Sequence, residues 1–143
     1  MDDPRVNRSL ENLQEVFGRD VYGAQVSGCK LVSWSEECCV CEMPITPDHL
    51  NMHGGVMGGA IFTLVDFAQA AAVVPFVGYG ASVSASIEFV KAPKGTKLIA
   101  TSYAMSTGRT LTFTKTEVRD DTGRLVAISN FTNVVARDQT PRS

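Results

Sequence analysis

Basic residues are scarce: 13 Lys and Arg face 15 Asp and Glu in 143 residues, a formal net charge of -2. The chain therefore lacks the cationic excess with which a nucleic-acid binder neutralises phosphates, which excludes nucleic acid as its main partner. Only four cysteines occur, three of them crowded into Cys38-Cys39-Val40-Cys41, and paired Cys-x-x-Cys motifs are absent. A chain of this length builds a core without staples, so a disulfide framework and a zinc site are both set aside and a reducing cytosol is expected. No Gly-x-Ser-x-Gly elbow marks a serine hydrolase. Met1-Asp2-Asp3-Pro4-Arg5 has no basic leader before an apolar run, so no secretory signal is expected. Internal repeats, low-complexity tracts and domain boundaries are missing as well. What remains, 44% hydrophobic and 20% charged, is the composition of one globular domain spanning residues 1–143.

Charge is thinnest between His53 and Lys91, where Asp66 and Glu88 are the only acids and no Lys, Arg or His occurs. A membrane span is a poor explanation, because Asp66 and Gln69 fall inside the segment, Gly54, Gly55, Gly58 and Gly59 open it and Pro75 closes it. From about Met57 or Gly58 to Val74, apolar residues at Met57, Ala60, Ile61, Leu64, Val65, Ala68, Ala71 and Ala72 follow the helical period. The opposite face, Gly59, Phe62, Thr63, Asp66, Ala70 and Val73, is small or apolar except for one carboxylate. A helix without a polar face must be wrapped by protein.

Around this helix the pattern predicts a short N-terminal helix over Ser9 to Phe17, within residues 1–20, with Ser9 as N-cap and Gly18 as stop. Strands are predicted over Ala24 to Val32 and Cys38 to Ile45, then four more in antiparallel succession: Ser82 to Phe89, Lys97 to Met105, Arg109 to Arg119 and Arg124 to Ala136. Thr107-Gly108 and Asp120-Asp121-Thr122-Gly123 are hairpin turns, and residues 137–143 read as a frayed tail. The class is α+β, a curved antiparallel sheet around one central helix. A single sheet covers only one side of such a helix, so a two-fold homodimer is expected to cover the other.

Asp66 is the leading candidate for chemistry, since a lone carboxylate on a buried helix costs several kcal/mol to ionise unless partnered. The helix start adds a complementary part, because the N–H groups of Gly58 and Gly59 have no intrahelical acceptor and no side chain in front of them. Asp66 lies eight residues past Gly58 (66 − 58), about 12 Å along the same helix. The two can meet only across an antiparallel dimer, which gives two composite sites.

The run from His49-Leu50-Asn51-Met52-His53-Gly54-Gly55-Val56-Met57-Gly58-Gly59 to Phe62-Thr63-Leu64-Val65-Asp66 resembles the signature His-x-Asn-x-x-Gly-x-x-His-Gly-Gly-x-x-Phe-x-Leu-Ala-Asp of hotdog-fold acyl-CoA thioesterases of the phenylacetate-degradation (PaaI-like) type. Ile87-Glu88-Phe89, Gly95, Gly108-Arg109 and Gly123-Arg124-Leu125-Val126-Ala127 extend the likeness over roughly Ala24 to Ala136. One position departs: Met57 stands where the family has histidine, and His53-Gly54-Gly55 lies one helical turn too early to replace it. A thioether cannot hydrogen-bond as imidazole does, so that histidine's role is either missing or supplied by His53.

The resemblance implies a hotdog fold and hydrolysis of an aryl- or medium-chain acyl-CoA to free acid and CoA, with CoA entering as part of the substrate and no metal or organic cofactor. It implies that the Gly58 N–H polarises the thioester carbonyl, that Asn51 positions water or substrate, and that Asp66 of the partner chain acts as general base or nucleophile. Ser82 would hold the water, with Ser84 as a fallback on the same face. His49, His53, Met57 and Gly59 lie where substrate can touch them, and Lys94 and Arg109 are the basic side chains expected at the CoA phosphates. The rival is a non-catalytic acyl-CoA or lipid-binding hotdog protein. An enoyl-CoA hydratase on this fold is disfavoured because Ala71 stands where an Asp-x-x-x-x-His pairing needs histidine. Two dimers associating into a homotetramer is a further possibility.

Overall fold

In the computed structural model, which describes residues 2–137 and Gln139, helix α1 (Leu10–Gly18) and a π-helical turn (Val21–Val26) precede strands β1 (Lys30–Trp34) and β2 (Cys38–Pro44). A short 3-10 turn (Pro47–His49) leads to the long helix α2 (Gly58–Val77), followed by β3 (Gly80–Phe89), β4 (Lys97–Thr107), β5 (Leu111–Asp120) and β6 (Leu125–Val135). The six strands form one antiparallel sheet in the order β1-β2-β4-β5-β6-β3. This is the curved sheet around a central helix that the sequence predicts, with a different strand succession. After α2 the chain enters the far edge beside β6, and β4 crosses back to pair with β2.

α2 rests mainly over β4, β2 and β5. Leu64, Val65, Ala68 and Ala71 of the helix are fully buried with Cys39, Cys41, Met43, Leu98, Ala100 and Val118 of the sheet. Each large side chain so buried contributes roughly 1.5–3 kcal/mol. By length and composition α2 could cross a membrane, yet most of it is packed inside this protein.

The helix does not stop at Val74 as predicted; it runs through Pro75 to Val77 and ends at Gly78, whose φ of 76° is in the left-handed region. Proline in a helix leaves the carbonyl four residues earlier without its donor. That carbonyl belongs to buried Ala71, and the Trp34 indole Nε1–H donates to it at 3.0 Å. Arg8 Nε donates to the Pro75 carbonyl at 2.9 Å, and its guanidinium lies 5.1 Å from the centre of the Phe76 ring. The Trp34 side chain thus replaces the bond that proline removes, and Arg8 serves a carbonyl left without a donor by the end of the helix.

α1 starts at Ser9 as predicted, its side chain accepting the Asn12 N–H. The strand predicted over Ala24 to Val32 begins only at Lys30. Asp20 caps the π-helical turn by accepting the Gly23 N–H at 3.0 Å, and Gly23 sits so close to Phe67 that a Cβ there would lie 3.0 Å from the ring. Val26, which the predicted strand includes, faces solvent instead. Of the predicted frayed tail, residues 138 and 140–143 lie outside the described residues. Gln139 accepts the Tyr79 N–H and donates to the Val77 carbonyl.

β3 carries the remaining departure. Ser82 pairs with Asn133 but Ser84 pairs with Thr132, so Val83 is an extra residue bulged out of the ladder. Pairing with Asn133 turns Ser82 to the helix side, as pairing with Phe131 turns Ala85, whereas Ser84 faces the outer side with Thr132. The shared face expected for Ser82 and Ser84 is broken by one residue.

Candidate active site

The loop entering α2 is held by its own backbone and by two predicted site residues. Asn51 accepts the N–H groups of His53 (2.9 Å) and Gly55 (3.2 Å) through Oδ1, while its backbone N–H donates to the Gly55 carbonyl. Gly54 turns the loop at φ 80°. His49 is buried: its Nδ1 accepts the Thr46 N–H at 3.0 Å, and Nε2 donates to the Ser27 carbonyl at 2.8 Å. Since the carbonyl can only accept and the amide only donate, the ring is the neutral Nε2–H tautomer. Its nitrogens are committed to the loop, which corrects the placement of His49 on substrate. The Met57 N–H donates to the His49 carbonyl at 2.8 Å, so His49 sets the start of α2.

Met57 is the N-cap residue and offers no side-chain cap. Ala60 and Ile61 donate to the Met57 carbonyl, whereas the N–H groups of Gly58 and Gly59 have no acceptor among the described residues. They form the positive end of a 20-residue helix. A Cβ on Gly58 would lie 3.0 Å from the Phe89 ring, while one on Gly59 would meet nothing within 4 Å. His53 and Met57 are exposed beside this helix end.

Asp66 is exposed, on the helix face that the sheet leaves uncovered, so within one chain it is not the buried carboxylate that the sequence predicts. Its Oδ1 accepts from Gln69 Nε2 at 3.1 Å. Gln69, one turn further along and 3% exposed, belongs to a chain of polar groups: Asn133 Nδ2 donates to Gln69 Oε1 (2.8 Å) and Thr112 Oγ1 (3.1 Å), and Ser82 Oγ donates to Asn133 Oδ1 (2.7 Å). The structure thereby joins Asp66 and Ser82, predicted independently, through residues that sequence reasoning missed. Gln69 carried one usable signal, a polar residue three positions after Asp66 on an otherwise apolar helix. Asn133 and Thr112 carried none, being ordinary polar residues in alternating strands.

Two cavities meet at Asp66. The larger, about 550 Å³, lies between α1, the π-helical turn and α2, with Phe17, Tyr22, Phe62 and Phe67 in its walls. The smaller, about 180 Å³, lies between the second half of α2 and the β3–β6 edge and contains Gln69, Val73, Ser82 and Asn133. Asp66, Ala70, Val74 and Tyr79 border both.

The basic residues are far apart. Lys94 sits where the chain enters β4, in a loop pinned by Asp120, which accepts the N–H groups of Lys94 (2.7 Å) and Gly95 (3.1 Å). Bonds from the Thr122 hydroxyl first, then from Lys94, Arg124 and Gly95, hold the Asp120 carboxyl well below the usual carboxylate range. Arg109 is exposed in the turn at the other end of β4, roughly 30 Å of strand away. The two cannot share one phosphate within a chain. Among the cysteines, Cys39 donates to the Ala68 carbonyl, a hydrogen bond with Cys39 and then burial push the Cys41 thiol up, and burial pushes Cys29 up to about 12. Cys29, Cys39 and Cys41 are buried packing groups.

Residues 53–127 match the model of the thioesterase superfamily. The mouse protein acyl-coenzyme A thioesterase 13 is 31% identical over 130 residues, which cover 85% of this chain and 93% of that protein. Among solved structures, mouse thioesterase superfamily member 2 is 28% identical with a TM-score of 0.79, covering 89% of this chain and 97% of that one. The E. coli PaaI protein of the phenylacetic acid degradation operon shares the fold at 22% identity, with a TM-score of 0.74 over 87% of this chain and 94% of its own. With more than half of its length matching the family model and the helix-start loop and Asp66 on one long helix packed against the sheet, the chain belongs to the thioesterase superfamily.

Proposed function

We propose that the protein is an acyl-CoA thioesterase working as a two-fold dimer, with each site built from both chains. The observation that carries this reading is Asp66: a carboxylate on an apolar helix, held at Oδ1 by Gln69 and standing where two cavities meet. β3 is an exposed edge with Val83 and Phe89 more than half exposed, the kind of edge that a second copy covers. Antiparallel pairing of two such edges brings the Gly80 end of one chain to the Phe89 end of the other. Asp66 of one chain then approaches Gly58 of its partner.

In this arrangement the Gly58 N–H donates to the thioester carbonyl oxygen and Asp66 takes a proton from a water held with the help of Ser82 and Asn51. The water oxygen attacks the carbonyl carbon, and negative charge gathers on the oxygen facing the helix N-terminus, where fixed N–H dipoles stabilise it. Collapse breaks the C–S bond. The CoA thiolate leaves and takes up a proton, giving free acid and CoA; attack by Asp66 itself through a mixed anhydride is the alternative route. Lys94 of the chain that supplies Gly58 and Arg109 of the chain that supplies Asp66 come to the same end of the dimer and serve the CoA phosphates. The steps use no metal or organic cofactor, and four free thiols suit a reducing cytosol.

Met57 favours a second reading, acyl-CoA binding without turnover, because its thioether leaves the helix start without the family's imidazole. Thiol release from a panel of acyl-CoA esters separates the two. The expected result is turnover by the wild type and a 10²- to 10⁴-fold loss, order of magnitude, in Asp66→Asn. Binding of the esters with no turnover by the wild type would establish the second reading instead.

A further inference from the structure

We infer that Gln69 is a positioning residue for this reaction: its buried amide fixes which groups donate and which accept at Asp66 and Ser82. The inference rests on the thioesterase reading and adds a residue to it. It starts from donor and acceptor counting. The two hydrogens of Asn133 Nδ2 go to Gln69 Oε1 and Thr112 Oγ1, so Asn133 Oδ1 is the acceptor for the Ser82 hydroxyl proton. Because Oε1 of Gln69 is already accepting, its Nε2 end faces Asp66 Oδ1 at 3.1 Å and Ser82 Oγ at 3.5 Å. Turning the amide over would aim an oxygen at a carboxylate and an N–H at another N–H donor. Gln69 and Asn133 are 3% and 7% exposed, and Thr112 is fully buried, so water does not compensate a wrong orientation.

Two consequences follow for the cleft. Asp66 has Oδ1 occupied and Oδ2 without a partner among the described residues, and Ser82 has its proton committed to Asn133, so its oxygen offers lone pairs only. Two neighbouring acceptors are what a water with two hydrogens requires: one hydrogen to Asp66 Oδ2, one to Ser82 Oγ, and a lone pair left for the carbonyl carbon. Gln69 sets that pattern without touching substrate. It also explains an unpaid-looking feature of α2, a glutamine in the interior of an apolar helix, where an unbonded amide would be strongly unfavourable.

The test is steady-state kinetics of Gln69→Met, Ser82→Ala and the double variant on an acyl-CoA ester that the wild type hydrolyses, with thermal unfolding to confirm folding. Each single change should lower kcat by about 10- to 100-fold with KM within about twofold, and the double variant should be no slower than the worse single within about threefold. Gln69→Glu keeps the length and the acceptor for Asn133 but sets a second carboxyl against Asp66, so that the pair shares a proton and Asp66 is lost as a free base; it should lose kcat at least as much, and it stands in if Gln69→Met does not fold. Unchanged kcat, a loss confined to KM, or losses that multiply in the double variant would overturn the inference while leaving the thioesterase reading in place. Absence of turnover by the wild type overturns that reading instead. The inference is then judged by NMR: the Gln69 side-chain amide protons should exchange slowly and shift in Asp66→Asn, and rapid exchange would refute it.

Discussion

Two inactive chains should make an active dimer. In Asp66→Asn the carboxylate is lost; in Gly58→Pro the helix N-terminal N–H is lost at a position where proline suits a helix start. Within one chain these groups are about 12 Å apart along α2. A carbonyl oxygen about 3 Å from the N–H and a water about 3 Å from the carboxylate do not bridge that distance. Across a two-fold axis they can meet. If the variants are unfolded together in equal amounts and refolded, half of the dimers carry one chain of each kind. Every such heterodimer has one site with both changes and one site with neither, so activity should recover to about 25% of wild type (one half of the dimers, one half of their sites). The assay is thiol release, with each variant refolded alone as the baseline and differently tagged chains to count heterodimers by mass spectrometry. Abundant heterodimers with activity at the baseline would place both groups on one chain and refute the composite site. A Cβ at residue 58 would lie 3.0 Å from the Phe89 ring, so proline displaces that ring by a few tenths of an ångström and the recovered value is an upper figure.

Other expectations concern the scaffold. Trp34→Phe leaves the Ala71 carbonyl without a donor and should cost about 1–3 kcal/mol, a fall in Tm of roughly 3–10 °C for a domain of this size. In a Pro75→Ala background, where residue 75 regains its N–H, the same change should cost at least about 1 kcal/mol less, and equal costs would dismiss the compensation. Thermal unfolding against pH should show a contribution from the Asp120 carboxylate, whose folded pKa lies below its unfolded value. That contribution is complete above the unfolded pKa of about 4 and is lost as the pH falls through the lower folded value. Asp120→Asn should therefore be less stable at neutral pH but flatter in acid, and an unchanged acid profile would contradict the assigned bonds.

Periodicity and spacing reveal much of this molecule. The central helix shows in the sequence because neither face of 58–74 is polar, and Asp66 stands out because nothing around it is charged. The helix start is legible because glycines at 58 and 59 follow a loop rich in turn residues. The failures have physical causes. Val26 has strand propensity, but a cap from Asp20 and the close packing of Gly23 on Phe67 outweigh it. Pro75 ends a helix by local rules, yet Trp34, 41 residues before it in sequence (75 − 34), supplies the missing bond. The far-edge position of β3 depends on a crossover that no strand announces. Gln69, Asn133 and Thr112 are a site only because α2, β6 and β5 converge, which is a property of the tertiary fold and not of any segment.

The bulge at Val83 divides the edge strand into two segments of opposite phase. After it, Ala85, Ile87 and Phe89 face the helix side; before it, Ser82 does, an even position among odd ones. In an unbroken ladder a hydroxyl at 82 and apolar residues at 85, 87 and 89 could not share a face. The extra residue releases the end of the strand that serves Asp66 from the pattern imposed by the end that packs beside Gly58. Residue 82 is therefore free to vary with the chemistry, from serine to any group that a different water or substrate needs, without repacking the other end of the same strand.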